Sequence, residues 1–298
     1  MPWFIYSFIA ASAVTGAFLC VRRLTDLGFS PRLVLVFNIT VIFLGFAVLN
    51  VLSGTLTTMW FAESFPLFLG VMVAVGVVAM GVNLANYIAV QRAPNPGYAR
   101  AIISSSPIPL AILSVLFFQS PLGWGNFLGT VFMLAGVVLL VLKRNQDKAD
   151  GTSSRRWLLP SFLALAGMVF VVLGLKEATL IGGFGPNEIN FLGFGTQLAL
   201  FALFSRAAIQ EDVRKNREHL GPLFLFVGLG GLFSMGANYF IVMGIELAPN
   251  PAYHEALFST NVLYLTLLSV PLLGLRLERR RLLGVVAVLL GVSAILLL

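Results

Sequence analysis

Charge is scarce in this chain. Of its 298 residues only 12 are acidic and 19 basic, so charged side chains make up 10% of the sequence. A soluble globular domain carries roughly 25%, which excludes that class. Cysteine is scarcer still: Cys20 stands alone, ruling out an internal disulfide and a cysteine-based metal cluster. No lysine is followed by Ser or Thr, so there is no Walker A loop to cradle a nucleotide. The chain also lacks His-Glu-x-x-His, Gly-x-Ser-x-Gly and paired aspartates within an apolar segment, the compact clusters from which hydrolytic chemistry is read. The N-terminal "MPWFIYSF" has no positively charged region and no clear small-residue cleavage site, so it reads as a first membrane span and not as a cleaved signal.

Apolar length is abundant instead. Hydrophobic residues form 58% of the chain, and the mean hydropathy is +0.95. Several runs reach about 18 residues, the length of a spanning helix. Inside a bilayer every backbone polar group must be paired internally, which leaves helix bundles and closed barrels. Runs such as 33–52 are too long and too uniformly apolar for barrel strands. The expected class is an all-α integral membrane protein. Breaks at Gly, Pro and charge clusters predict ten transmembrane helices, roughly at 3–21, 32–52, 66–91, 97–118, 124–142, 157–176, 187–206, 221–246, 252–274 and 281–298. The one long polar connection, "KRNQDKADGTSSRR" at 143–156, lies between the fifth and the sixth.

One phrase occurs twice. "APNPGYARAIIS" at 93–104 and "APNPAYHEALFS" at 248–259 agree at seven of twelve positions, 155 residues apart. The same offset pairs "GFSP" at 28–31 with "GFGP" at 183–186, Asn83 with Asn238, Ser114 with Ser269, Gly129 with Gly284 and Gly136 with Gly291. The expected organisation is two five-helix repeats, 1–142 and 157–298, joined by a cytoplasmic linker at 143–156. Five is odd, so the second repeat enters the membrane from the opposite side. Inverted repeats of this kind support alternating access in many secondary transporters. Eighteen of the 19 Lys and Arg fall in connections on one face, leaving Lys176 opposite. By the positive-inside rule that face is cytoplasmic, and both termini lie outside the cytoplasm. The expected location is a bacterial inner membrane.

The stretches "SSSPIPLAILSVLFF…GTVFMLAGVVLLVL" and "STNVLYLTLLSVPLLG…GVVAVLLGVSAILLL", set in ten spans with inverted halves, resemble the drug/metabolite transporter superfamily, EamA-type. The likeness implies a carrier of small metabolites, often an exporter, working without nucleotide hydrolysis. One feature departs from the family pattern: Ser120 and Leu275 stand where such repeats usually carry a Gly-Glu pair after the fourth helix.

Polar groups within the spans are the candidate substrate contacts. Asn83, Asn86, Tyr87 and Gln91 fall on one face of the third span, and a polar stripe in hydrocarbon is costly unless it meets partners or water. Asn238 repeats Asn83, with Glu246 eight residues on. The fourth and ninth spans carry a matched stripe: Tyr98, Ile102, Ser106 and Pro109 correspond to Tyr253, Leu257, Asn261 and Tyr264. The bland reading of these groups is interhelical hydrogen bonding or an interfacial tyrosine belt. Gating or coupling falls to Arg100, Lys176, Glu188, His254 and Glu255. The helix dipole and the positive-inside rule also account for Glu255 and Arg100, and most interfacial histidines are passive. No metal site and no cofactor are expected. The expected partners are a small-molecule substrate, the lipid bilayer and a coupling proton, with no nucleic acid and a monomeric state. The resulting expectation is a secondary active transporter that moves a small polar or amphipathic metabolite by alternating access, with export the expected direction. The alternatives are a membrane-embedded enzyme, a channel or a non-transporting scaffold.

Overall fold

The structure is a computed structural model that describes residues 2–92, 99, 102–141, 155–215, 220–273 and 279–297. Every regular element among them is helical: α1 (Trp3–Asp26), α2 (Pro31–Leu52), α3 (Thr55–Thr58), a 3-10 turn (Met59–Phe61), α4 (Phe65–Arg92), α5 (Pro107–Phe118), α6 (Trp124–Val141), a second 3-10 turn (Arg155–Trp157), α7 (Leu158–Leu180), α8 (Pro186–Lys215), α9 (Leu220–Leu247), α10 (Pro251–Phe258), α11 (Asn261–Leu273) and α12 (Arg279–Leu297). Among the described residues five helices, in α1, α2, α4, α7 and α9, are long and apolar enough to cross a membrane. Pro107–Phe118, Trp124–Leu140 and Leu282–Leu297 are apolar but shorter. Large apolar side chains such as Leu52, Phe117, Phe204 and Leu297 are exposed, as lipid-facing residues are. This is an all-α protein with the stamp of membrane embedding.

Three expected spans differ from what is seen; the fourth, expected at 97–118, turns at 104–106 before α5 begins at Pro107. The seventh, expected at 187–206, continues to Lys215. Its last turns carry Arg206, Gln210, Glu211, Arg214 and Lys215, mostly good helix formers that prolong a helix beyond its apolar stretch. The ninth is not one helix but two, α10 and α11, separated at Ser259 and Thr260.

Helix starts follow local chemistry. Gly28 and Gly183 both take left-handed φ, 87° and 95°, a conformation that side chains resist. Each precedes a helix with proline in its first position, where no donor is needed. Ser30 caps α2 by accepting the Leu33 N–H at 3.2 Å. Gly185, its counterpart, has no side chain to offer. Glu188 reaches back instead, accepting the Gly185 N–H at 2.9 Å. That is half of a capping box.

The chain forms two compact units. One comprises Met1–Ala11, Val78–Leu173 and Gly244–Leu298; the other comprises Ser12–Val77 and Gly174–Met243. Each unit draws on both sequence halves. In the first, α6 and α12 pack antiparallel at backbone contact: a methyl added at Gly129 would lie 2.9 Å from the Gly291 carbonyl oxygen, and one at Gly136 would lie 2.7 Å from that of Gly284. Small residues allow such close approach where the hydrophobic effect gives helices no reason to associate. In the second unit, α2 and α8 run antiparallel. Ser30 donates to Asp212 at 2.6 Å, Phe43 stacks on Phe191 with centroids 5.1 Å apart, and Asn50 donates to the Asn187 carbonyl at 3.1 Å.

Candidate functional site

The second Ala-Pro-Asn-Pro ends α9 and starts α10. Asn250 sits in extended backbone (φ −136°, ψ 124°) and its Oδ1 accepts the Ala252 N–H at 3.0 Å. This is the work of an N-cap. Its amide donates to the carbonyls of Ala111 and Pro121, each at 3.5 Å. Tyr253 adds two bonds to the same turn, accepting from the Gly123 N–H at 3.1 Å and donating to the Pro121 carbonyl at 3.3 Å. The turn itself is tightened by Gln119, at φ 52°. Tyr253, Ala256 and Leu257 complete the core built by α6 and α12. One face of α10 is thereby fixed to the scaffold of the first unit.

The next face carries His254, whose side chain is entirely enclosed. Its Nδ1 lies 2.7 Å from the Ser7 hydroxyl on α1. The ring presses on Gly244 of α9 so closely that no Cβ fits there. Phe258, one turn on, lies nearly parallel to it, 15° apart in plane. Ser7 also donates to the Trp3 carbonyl, at 3.4 Å. A hydroxyl has one proton to give. Spent on Trp3, it makes Nδ1 the donor to Ser7 and leaves Nε2 a lone pair; given to Nδ1 across the shorter contact, it leaves the ring hydrogen on Nε2. Nε2 is buried without a partner among the described residues, as are Asn86 Oδ1 and Ser114 Oγ in the same unit. Orphaned buried polar atoms are rare enough to call for an explanation.

At about 100° per residue along a helix, Glu255 faces away from the α6/α12 core. It is buried, yet among the described residues nothing is bonded to its carboxylate. The helix then stops. Ser259 donates back to the Glu255 carbonyl at 3.1 Å and Thr260 to that of Leu257 at 2.7 Å. Such hydroxyls compete with the helical ladder for its acceptors. The equivalent stretch of the other repeat breaks too: 102 and 103 are helical, 104–106 form a turn, and Pro107 opens α5.

This fold is shared with a known structure. A protein of solved crystal structure superposes with a TM-score of 0.72, at 15% identity, over 98% of this chain and 95% of its own. No protein-family model matches the chain, and no curated protein matches it.

Other residues singled out from the sequence fall as follows. Tyr98 and Arg100 lie outside the described residues, and Tyr87 and Gln91 belong to α4 with side chains outside them. Asn83 is half-buried on α4, in the first unit. Asn238 is in the second unit, its amide bonded to the Ser234 carbonyl of its own helix at 2.7 Å. Ser106 is buried at the first helix break, and Asn261 is buried at the second. Tyr264 is half-buried on α11, Lys176 is half-buried in the second unit, and Glu246 is exposed. Glu188 caps α8. Tyr253 and Glu188 therefore have definite structural duties. Ser7 and Gly244, which hold His254, carry no sequence signal: one is a lone hydroxyl in an apolar run, and 247 residues separate Ser7 from His254.

Proposed function

We propose that the protein is a secondary active transporter of a small polar or amphipathic metabolite, built as two inverted five-helix repeats and working by alternating access. The observation that carries this reading is the pair of helix breaks, 104–106 and 259–260, at equivalent positions of the two repeats with buried polar groups around them. Discontinuous helices of this type free backbone and polar groups in mid-membrane, and they line solute sites in transporters. Two further matches support the repeat: the left-handed glycines at 28 and 183, and the antiparallel packing of α6 on α12, whose glycines contact each other reciprocally. A two-fold axis in the membrane plane produces that reciprocity. Export is the direction that the resemblance to EamA-type carriers implies. Under this reading Asn83, Asn86, Ser106 and Asn261 contact the solute.

The test is counterflow. Purified protein in liposomes loaded with unlabelled solute, chosen by thermal-shift screening of amino acids, sugars, nucleosides and organic cations, should transiently accumulate the labelled form and saturate with concentration. A linear, non-saturating flux would point to a channel, and chemical conversion of the solute would point to an enzyme.

A further inference from the structure

We propose that His254 Nε2 takes up the coupling proton of the carrier, and that it does so only when α10 parts from α1 and α9; this rests on the carrier reading above. Three observations meet at the ring. We assign the proton of the 2.7 Å Ser7–His254 contact to Nδ1, because the Ser7 hydroxyl also reaches the Trp3 carbonyl at 3.4 Å and a buried N–H with no acceptor is costlier than a buried lone pair. The remaining nitrogen is therefore a bare acceptor, fully buried and without a partner among the described residues. The ring is closed in by Gly244 and Phe258, which leaves no room for an organic solute but enough for a proton.

Few groups compete for that role. On α10 itself Glu255 is the neighbouring ionisable group, and the Tyr253 phenol is tied to Gly123 and Pro121. Residues 3–11 of α1 contribute only the phenol of Tyr6, α5 and α6 contain no charged residue, and α9 carries the phenol of Tyr239 and the exposed Glu246 two positions beyond Gly244. A charge enclosed by apolar atoms without water or a counter-ion is costly. Protonation and separation of the contact are thus linked. A proton from the aqueous side forms the Nε2–H bond when α10 has moved off Ser7 and Gly244, and it is returned to water before the contact closes again. Nδ1 keeps its own proton throughout.

The chain has two histidines, His219 and His254, so His219→Gln leaves one imidazole to observe. Nitrogen-15 spectra of ring-labelled protein in bilayers at about pH 7.5 should show a protonated Nδ1 and a bare Nε2. A proton on Nε2 would overturn the proposal without any variant of His254 being needed. The linked motion is read by spin labels at the exposed positions Pro2→Cys and Pro249→Cys in a Cys20→Ser background. If the proton binds only the parted state, going from about pH 7.5 to about pH 5.5 raises the ratio of parted to closed molecules, by at most about tenfold per pH unit. His254→Gln should flatten that response. The same shift in His254→Gln, or none in the parent, removes the proton site. Counterflow with an unmoved distance distribution would remove the proton site alone, whereas absence of counterflow for every solute removes the carrier reading and the coupling with it.

Discussion

Gly244 is the position at which one methyl group should matter most. Its absent Cβ is the space the His254 ring occupies, so Gly244→Ala must displace either the ring or α9. Overpacking of this kind costs about 1–3 kcal/mol. Gly236, in the same helix, has nothing within 4 Å of the equivalent point. There the alanine should be neutral or stabilising by about 0.5–1 kcal/mol, as an unstrained helical Gly→Ala exchange is. Thermal unfolding in detergent, followed for both variants, separates the two cases; equal midpoints would mean that the ring is not seated as described. Glu188 makes a second comparison at this scale. Glutamine keeps an oxygen that can accept the Gly185 N–H, and alanine does not. If capping is its role, Glu188→Ala should lose about 1 kcal/mol and Glu188→Gln much less. A gating role would instead reveal itself as lost flux in both variants at unchanged stability.

Among the elements, the α6/α12 crossing rests on reciprocal glycines, and their energetics should be coupled. Gly129→Ala and Gly291→Ala each wedge the same contact, 2.9 Å and 2.6 Å from the facing carbonyl oxygen. Once one methyl has pushed the helices apart, the second finds the space already open. The double variant should therefore cost clearly less than the two singles added together, by about 0.5–3 kcal/mol. Strict additivity would mean that the helices do not meet there. The sequence made this crossing partly legible, since the 155-residue offset marks the same four glycines, though it does not say that each glycine meets the counterpart of the other. Helix ends were readable where Pro and a capping side chain coincide, as at Ser30–Pro31 and Asn250–Pro251. The extension of α8 to Lys215 was hidden because hydropathy records where lipid ends, whereas helix propensity and a partly buried bond from Ser30 to Asp212 decide where the helix ends. The break at Ser259 and Thr260 was hidden for a different reason. It arises from hydroxyls turning to their own backbone, and no glycine or proline marks it. The His254 contacts were not legible at all, because neither Ser7 nor Gly244 belongs to a periodic pattern.

For the molecule as a whole, the inverted arrangement makes a claim about sides of the membrane that labelling can decide. Eighteen of the 19 basic residues belong to connections that alternate spans would place on one face, and a bias of that size fixes orientation during insertion. A reporter active only in the cytoplasm, fused at residue 148 in the linker, should therefore be active, and one fused after Leu298 should be silent. A reporter active only outside should behave in the opposite way at both points. The antiparallel packing of α6 on α12 sharpens this expectation. If both helices cross the membrane and lie antiparallel, the chain leaves α12 on the side from which it entered α6. The turn at 119–123 before α6 and the C-terminus then share a face, opposite to residue 148. A label at the exposed Pro121 should follow the C-terminal reporter, and a label at 148 should not. Cytoplasmic signal from both residue 148 and the C-terminus would leave the described packing of α6 and α12 intact only if one of them failed to cross, and the paired-repeat reading would fall.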